Sequence, residues 1–145
     1  MFDNVLIPTD GTELSVKAAA YGLQLAKRLG AKATVVTATT PAESIMVGEV
    51  QVVRNREAYE AKASAQANAI LDVVAKLAKQ EGVVCETIHA RDALPWHAIL
   101  ETAKSKSADV IVMASHGRRG VSALLLGSET QKVLTHSKLP VIVVR

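Results

Sequence analysis

Several residue types are scarce in this 145-residue chain, and each scarcity excludes a class of protein. Cys85 is the only cysteine, which excludes an intramolecular disulfide and a cysteine-ligated zinc site. Aromatic residues make up 3% of the chain, too few for a base-stacking platform that would bind single-stranded nucleic acid. The formal net charge is only +3 at pH 7, so a polyanion such as DNA is not expected as the main partner.

Long apolar segments are missing as well. No run approaches the roughly 18 residues that a membrane-spanning helix needs, although 49% of the residues are hydrophobic. The N-terminus shows no basic region ahead of an apolar stretch, as a secretory signal peptide would. We therefore expect one domain over residues 1–145, located in the cytoplasm and long enough to bury one sizeable core.

Two kinds of segment alternate along the chain. Short β-branched runs of nearly continuous apolar character are typical of strands covered on both faces, as in a parallel sheet. The longer segments between them have the period of a helix, and right-handed crossovers then predict an α/β fold with a doubly wound five-stranded parallel sheet. The strands are predicted at 5–7, 33–37, 83–88, 110–113 and 141–144, and the helices at 14–29, 63–77, 95–104 and 128–136.

One connection is unusually long. Residues 39–55 have no strong period and include Pro41 and Gly48. A loop of this length in a compact domain is typical of either a functional lid or a disordered insertion, and the sequence leaves both open.

Ligands of an open α/β sheet bind beyond the carboxyl ends of its strands, where the strand order reverses. Asp10 follows the first strand and precedes a helix. Its carboxylate either forms a local turn at the start of that helix or accepts a hydrogen bond from a sugar hydroxyl or an adenine amino group.

The loop after the fourth strand has the composition of an anion site. Ser115, His116 and Gly117 are followed by two basic residues, Arg118 and Arg119. Small residues allow successive backbone N–H groups to point into one concavity, and the arginines add positive charge beside it. Taken alone, this loop is either a phosphate site or a solvated basic turn.

The start of the last helix favours the phosphate site. Gly127 precedes Ser128, which is expected to cap the helix, with Gln131 completing a capping box. A helix N-terminus attracts anions, so phosphate is expected between this helix and the preceding loop.

The spacing of these residues resembles the nucleotide-binding signature of universal stress proteins: Gly, two residues, Gly, nine residues, Gly, then Ser or Thr. Ala114 stands at the first glycine position, Gly117 at the second, and Gly127-Ser128 at the end. Residues 7–11 and 139–144 match the ends of the family, so the resemblance covers essentially the whole chain. Alanine disfavours a positive φ, but its effect is expected to be mild if the residue lies in ordinary β geometry.

This resemblance implies a Rossmann-like sheet of strand order 3-2-1-4-5 and a stress-response protein that binds ATP, ADP or AMP. It also implies that Mg²⁺ or Mn²⁺ joins the phosphates in some cases. Asp10 and the backbone of Ala38 would hold adenine and ribose, and Pro8, Thr9 and Met113 would line the pocket. The residues around the phosphates would be Gly117, Arg118, Arg119, Gly127, Ser128, Glu129 and Thr130.

A homodimer is also implied by the resemblance. The family strand order leaves the last strand, residues 141–144, as an apolar edge, and such an edge invites pairing with another chain. We therefore expect dimerisation through Val141, Ile142, Val143 and Val144, with an unidentified protein as a further partner.

Three hypotheses remain open from the sequence. The first is a nucleotide-dependent regulatory dimer, and the second is a slow ATPase or phosphotransferase with His116 as its base. The third is a dimer that acts through protein contacts without nucleotide. The Walker A sequence and the GxGxxG fingerprint are both absent. His116-Gly117 is followed by Arg118, so the His-x-Gly-His signature of adenylyl transferases is not formed either.

Overall fold

A computed structural model describes residues 1–45, 55–118 and 125–145. In these residues, five parallel strands form one sheet in the order β3-β2-β1-β4-β5. The strands are β1 (Asn4–Pro8), β2 (Lys32–Thr39), β3 (Cys85–Arg91), β4 (Val110–Ala114) and β5 (Val141–Val144).

The described helices are α1 (Glu13–Leu29), α2 (Arg56–Glu81), α3 (Pro95–Ser105) and α4 (Ser128–His136). Helix α1 begins where the Thr12 hydroxyl accepts a hydrogen bond from the Ser15 N–H, and it ends at Gly30 in the left-handed region. The predicted doubly wound α/β fold and its strand order are confirmed. None of the described helices is long and apolar enough to cross a membrane.

Alternating side chains of the central strands divide the core between the two faces of the sheet. Val5 and Ile7 point to the face covered by α1 and α2, where Leu23 and Val74 pack against them. Leu6, between them, belongs to the opposite core. The other members of that core include Ile99, Ala103, Ile111 and Val133, from α3, β4 and α4. Because β1 is buried on both faces, its residues read as a continuous apolar run.

The third strand lies later in the chain than predicted. Val83 is buried and Val84 is 76% exposed, but neither belongs to the strand, which pairs with β2 from Ala33 opposite Cys85 to Thr39 opposite Arg91. The predicted strand ended too early because the last residues of β3 are mostly polar. An edge strand does not need apolar side chains throughout.

The long connection after β2 is described only in part. Residues 42–44 form a single 3₁₀ turn, whose Ala42 N–H donates to Glu60 Oε1 over 3.0 Å. Glu60 also accepts from Arg91 Nη2 at 2.6 Å, so α2, β3 and the start of the connection are joined. Residues 46–54 lie outside the described part, and the choice between lid and insertion stays a prediction.

Candidate functional site

A cavity of about 440 Å³ opens at the carboxyl ends of β1, β2 and β4. It lies where the chain order of the strands reverses, between β1 and β4, as the rule for open α/β sheets predicts. Ser115 is 5% exposed and does not line the cavity, and Arg119 lies outside the described residues. The predicted site residues that line it are Pro8, Thr9, Asp10, Ala38, Met113, Ala114, His116, Gly117, Arg118, Gly127, Ser128, Glu129 and Thr130.

One wall of the cavity was missed by the sequence analysis. Helix α3 packs against β2, and the residues that lead into α3 line the cavity as well. Pro95, which begins α3 after the third strand, was the signal that could have pointed there. The unpredicted lining residues are Ser15, Val36, Thr37, Thr40, Ala93, Pro95, Ala98 and Ile99.

Asp10 is held in one orientation by both neighbouring loops. Its Oδ1 accepts from the Thr12 N–H at 3.0 Å and from the Thr12 hydroxyl at 2.6 Å. Its Oδ2 accepts from the Arg118 N–H at 3.1 Å. Burial raises the pKa of Asp10, but hydrogen bonds from Thr12 and Arg118 outweigh this effect and the net pKa lies below the ordinary value of 3.8. The Asp10 carboxylate is therefore a hydrogen-bond acceptor held in place just beyond the carboxyl end of β1.

The Arg118 side chain folds back onto the β1 loop. Its Nε and Nη2 donate to the backbone carbonyl of Asp10 over 3.2 Å and 2.9 Å. Together with the backbone contact to the carboxylate, these bonds tie the loop after β4 to the loop after β1. The guanidinium was predicted to face phosphates, whereas this structure places it on a protein carbonyl at the cavity edge.

The two glycines of the signature permit close packing between loops. A Cβ at Gly117 would lie 2.6 Å from Oδ2 of Asp10, and a Cβ at Gly127 would lie 2.9 Å from the His116 Cα. The Gly127 N–H also donates to the Ser115 carbonyl at 2.7 Å. Both positions therefore require glycine for the loops to meet, before any ligand is considered.

Ala114, at the first glycine position of the signature, fits without strain. It is the last residue of β4 and pairs with Val144. Among the described residues, Ser107 is the only non-glycine with a positive φ, so Ala114 has none. It is 8% exposed and belongs to the core on the α1–α2 face. The added methyl group is therefore accommodated in the core.

The start of α4 differs from the prediction. Gly127 occupies the N-cap position with φ −63° and ψ 155°, and no side chain of the described residues caps the helix. Ser128 is already helical, so the expected capping box with Gln131 is wrong; Gln131 Nε2 donates to the Leu126 carbonyl instead. Gly127 can come this close to His116 only without a side chain, so the N-cap position is occupied by glycine and not by a capping serine.

Glu129, in the first turn of α4, contacts the preceding helix, α3. Its Oε2 accepts from the backbone N–H of Trp96 over 2.8 Å, at the start of α3. Leu94, at the N-cap position of α3, makes no capping hydrogen bond with its own side chain. The Trp96 ring stacks on His136 with centroids 4.6 Å apart, which joins α3 to the other end of α4.

His116 stands between the cavity and a more open depression of about 520 Å³ beside the start of α1. Its Nδ1 lies 3.2 Å from Oγ of Ser115, with the donor set by the tautomer. In the described part of the chain, no group of three or more His, Cys, Asp or Glu side chains is arranged to hold a metal ion. A metal held by nucleotide phosphates, as the resemblance implies, stays a prediction.

The universal stress protein family profile matches residues 1–145. The universal stress protein YxiE of Bacillus subtilis is 33% identical over 155 residues, covering 100% of this chain and 100% of that relative. A match over the whole length at this identity means that the chain belongs to the universal stress protein family.

Two solved structures have the same fold. The hypothetical protein MJ0577 of Methanocaldococcus jannaschii has a TM-score of 0.80 at 24% identity, over 99% of this chain and 96% of that one. A universal stress protein in complex with cAMP has a TM-score of 0.70 at 26% identity, over 99% and 97% of the two chains. The second shows that a member with this architecture binds an adenine nucleotide.

Proposed function

We propose that this chain is a cytoplasmic, single-domain stress-response protein that binds an adenine nucleotide at the carboxyl ends of β1, β2 and β4 and acts as a regulatory homodimer. The observation that carries the proposal is the meeting of Asp10, the Gly117 loop and the bare N-terminus of α4 around one cavity of about 440 Å³. That volume lies within the range of small-molecule sites. The cAMP complex of a relative supports the same ligand class.

The β1 side of the cavity suits the nucleoside. Among the described residues, Asp10 Oδ2 accepts one hydrogen bond, from the Arg118 N–H, and a carboxylate oxygen can accept two. A ribose hydroxyl could therefore bind the same oxygen. Ala38 offers backbone groups at the end of β2, and Met113 offers an adaptable apolar side chain for the base.

The α4 side suits phosphate. The first N–H groups of a helix have no partner within the helix, and in the described part of the chain no side-chain cap satisfies those of α4. These groups carry the positive end of the helix dipole, which favours an anion. Ser128 and Thr130 line this side, although the Thr130 hydroxyl already donates to the Ala114 carbonyl at 2.9 Å.

The test is to denature freshly purified protein, identify any released nucleotide by chromatography and mass spectrometry, and titrate the emptied, refolded protein with AMP and GMP by calorimetry. We expect an adenine nucleotide in the released fraction and tighter binding of AMP than of GMP. Incubation with ATP in the same samples would reveal hydrolysis, the second hypothesis from the sequence. A protein that is empty and binds neither compound contradicts the proposal and leaves the nucleotide-free dimer.

The homodimer is proposed through β5. Within the described residues β5 pairs only with β4, and Ile142 at its centre is 40% exposed. An apolar edge strand of this kind favours pairing with a second copy. We expect sedimentation equilibrium to give a dimer, and Ile142→Lys to give a monomer. Val73→Lys, at a 47% exposed position on α2, is the matched control and should stay dimeric. A monomeric unsubstituted protein would remove this part of the proposal.

A further inference from the structure

The phosphate side of the cavity contains a protein carboxylate of its own. Glu129 lies in the first turn of α4 and lines the cavity, and its Oε2 is 2.8 Å from the Trp96 nitrogen at the start of α3. Glu129 therefore binds the N-terminus of α3 while it belongs to the first turn of α4. Both helix termini favour a negative charge there, so this carboxylate is stabilised where it stands.

The described lining of the cavity carries little compensating positive charge. Its charged side chains are Asp10, Glu129 and Arg118. The Arg118 guanidinium donates to the Asp10 carbonyl, so its charge is directed at the β1 loop. An incoming phosphate chain thus meets the α4 N-terminus together with the negative charge of Glu129.

We infer that Glu129 is a specificity-determining residue that makes the cavity prefer a nucleoside monophosphate over a triphosphate. This inference rests on the proposed function, because it concerns the same nucleotide site. Repulsion between Glu129 and the ligand grows with the number of phosphate charges, and a half-buried site screens it less than water does.

Glu129 cannot leave the cavity wall without cost. Leaving would remove the hydrogen-bond partner of the Trp96 N–H, since the N-cap residue Leu94 provides none from its side chain. The stack of Trp96 on His136 keeps the two helices in contact on the same side. The carboxylate is therefore a fixed feature of the site that a triphosphate must accommodate.

The test is calorimetric titration of the full chain and of Glu129→Gln with adenosine, AMP and ATP, in the presence of a chelator. Glutamine keeps an oxygen that can accept from Trp96 N–H, so the fold is preserved, and circular dichroism checks this. Glu101→Gln, an exposed carboxylate on α3 that does not line the cavity, is the matched control. Mg²⁺ added in a second series neutralises part of the triphosphate charge.

We expect the unsubstituted protein and Glu101→Gln to bind AMP more tightly than ATP, with Mg²⁺ narrowing the gap. Glu129→Gln should bind ATP roughly tenfold more tightly, gain less for AMP and stay unchanged for adenosine. An unchanged ratio of ATP to AMP affinity in Glu129→Gln would overturn the inference while nucleotide binding stands. If no protein binds any of the three ligands, the proposed function fails and the inference fails with it.

Discussion

The two ends of the sheet treat their polar groups in opposite ways. At the amino end, the Asn4 side chain is 2% exposed, donates to the Lys106 carbonyl at 2.9 Å and accepts from the Thr34 hydroxyl at 3.0 Å. Asp109 Oδ2 accepts the N–H groups of Asp3 and Asn4 at 2.7 Å and 2.9 Å. The Asn4 and Asp109 side chains of this end are thus directed at other parts of the chain, and they close it.

At the carboxyl end, polar groups surround an open cavity instead. Asp10 is fixed by its neighbours but keeps accepting capacity, and α4 begins at a glycine without a side-chain cap. The amino ends of the parallel strands are thus joined by a network of hydrogen bonds, whereas their carboxyl ends surround an open cavity. We therefore expect the hydrogen bonds at the amino end to serve stability, and those at the carboxyl end to position groups for the proposed ligand.

The largest expected effect breaks the closed end. Asn4→Ala leaves the Thr34 hydroxyl and the Lys106 carbonyl without their partner, and should destabilise the protein by about 2–4 kcal/mol. Urea unfolding followed by circular dichroism measures this change. AMP affinity, measured well below the unfolding transition, should not change. A comparable loss of affinity would mean that the two ends are not separate in function.

An intermediate effect is expected from Gly127→Ala at the open end. The new Cβ would meet the His116 backbone, so the two loops must separate, at a cost of about 1–3 kcal/mol. AMP affinity should fall on the order of tenfold, because displaced backbone groups lose at least one ligand hydrogen bond.

Gly82→Ala is the control for this variant. Gly82 has open space around it but a positive φ of 72°, so alanine there costs about 1 kcal/mol of stability far from the cavity. It should bind AMP normally. If Gly127→Ala and Gly82→Ala bound AMP equally well, the role assigned to the loop contact would be wrong.

The smallest expected effect is a pH dependence that comes from Asp10. Its folded pKa lies below 3.8, so its stabilisation is present above that pH and is lost as the pH falls through the folded value. Asp10→Asn should therefore lose about 1–2 kcal/mol near neutral pH and less in strong acid. Urea midpoints of the two proteins across the acid range measure this difference.

Asp72→Asn, which removes an exposed carboxylate on α2, is the matched control and should equal the unsubstituted protein in stability near neutral pH. A loss of stability in Asp10→Asn that stays constant down to strong acid would show that the Asp10 charge is not what the surrounding donors stabilise.

Most of the fold could be predicted, because a strand that is buried on both faces has a nearly continuous apolar sequence. Strands β1 and β4 are completely buried and read as apolar runs, and the period of 14–29 marks α1. The edge strand β3 was misplaced, since three of its seven residues, Glu86, Thr87 and Arg91, are exposed and polar. The helix predicted at 128–136 agrees with α4, but its N-cap was assigned to Ser128 instead of Gly127, because the cap depends on how closely Gly127 approaches His116, which is a tertiary contact.

The candidate site could be predicted as far as strand ends and signature spacing allow. Asp10, Gly117 and Gly127 follow from their positions after β1 and β4. The wall formed by α3 could not be predicted in this way, because it depends on how that helix crosses the sheet. The contacts of Arg118 with Asp10 and of Glu129 with Trp96 join residues far apart in sequence, and no local pattern encodes them.

The most direct test of an adenine-nucleotide site at the open end is hydrogen–deuterium exchange with and without saturating AMP. We expect slower exchange in peptides that contain residues 9–12, 115–118 and 127–130, and no change around Asn4 and Asp109 at the closed end. Unchanged exchange in all three segments, under conditions where AMP is present in large excess, would contradict the account.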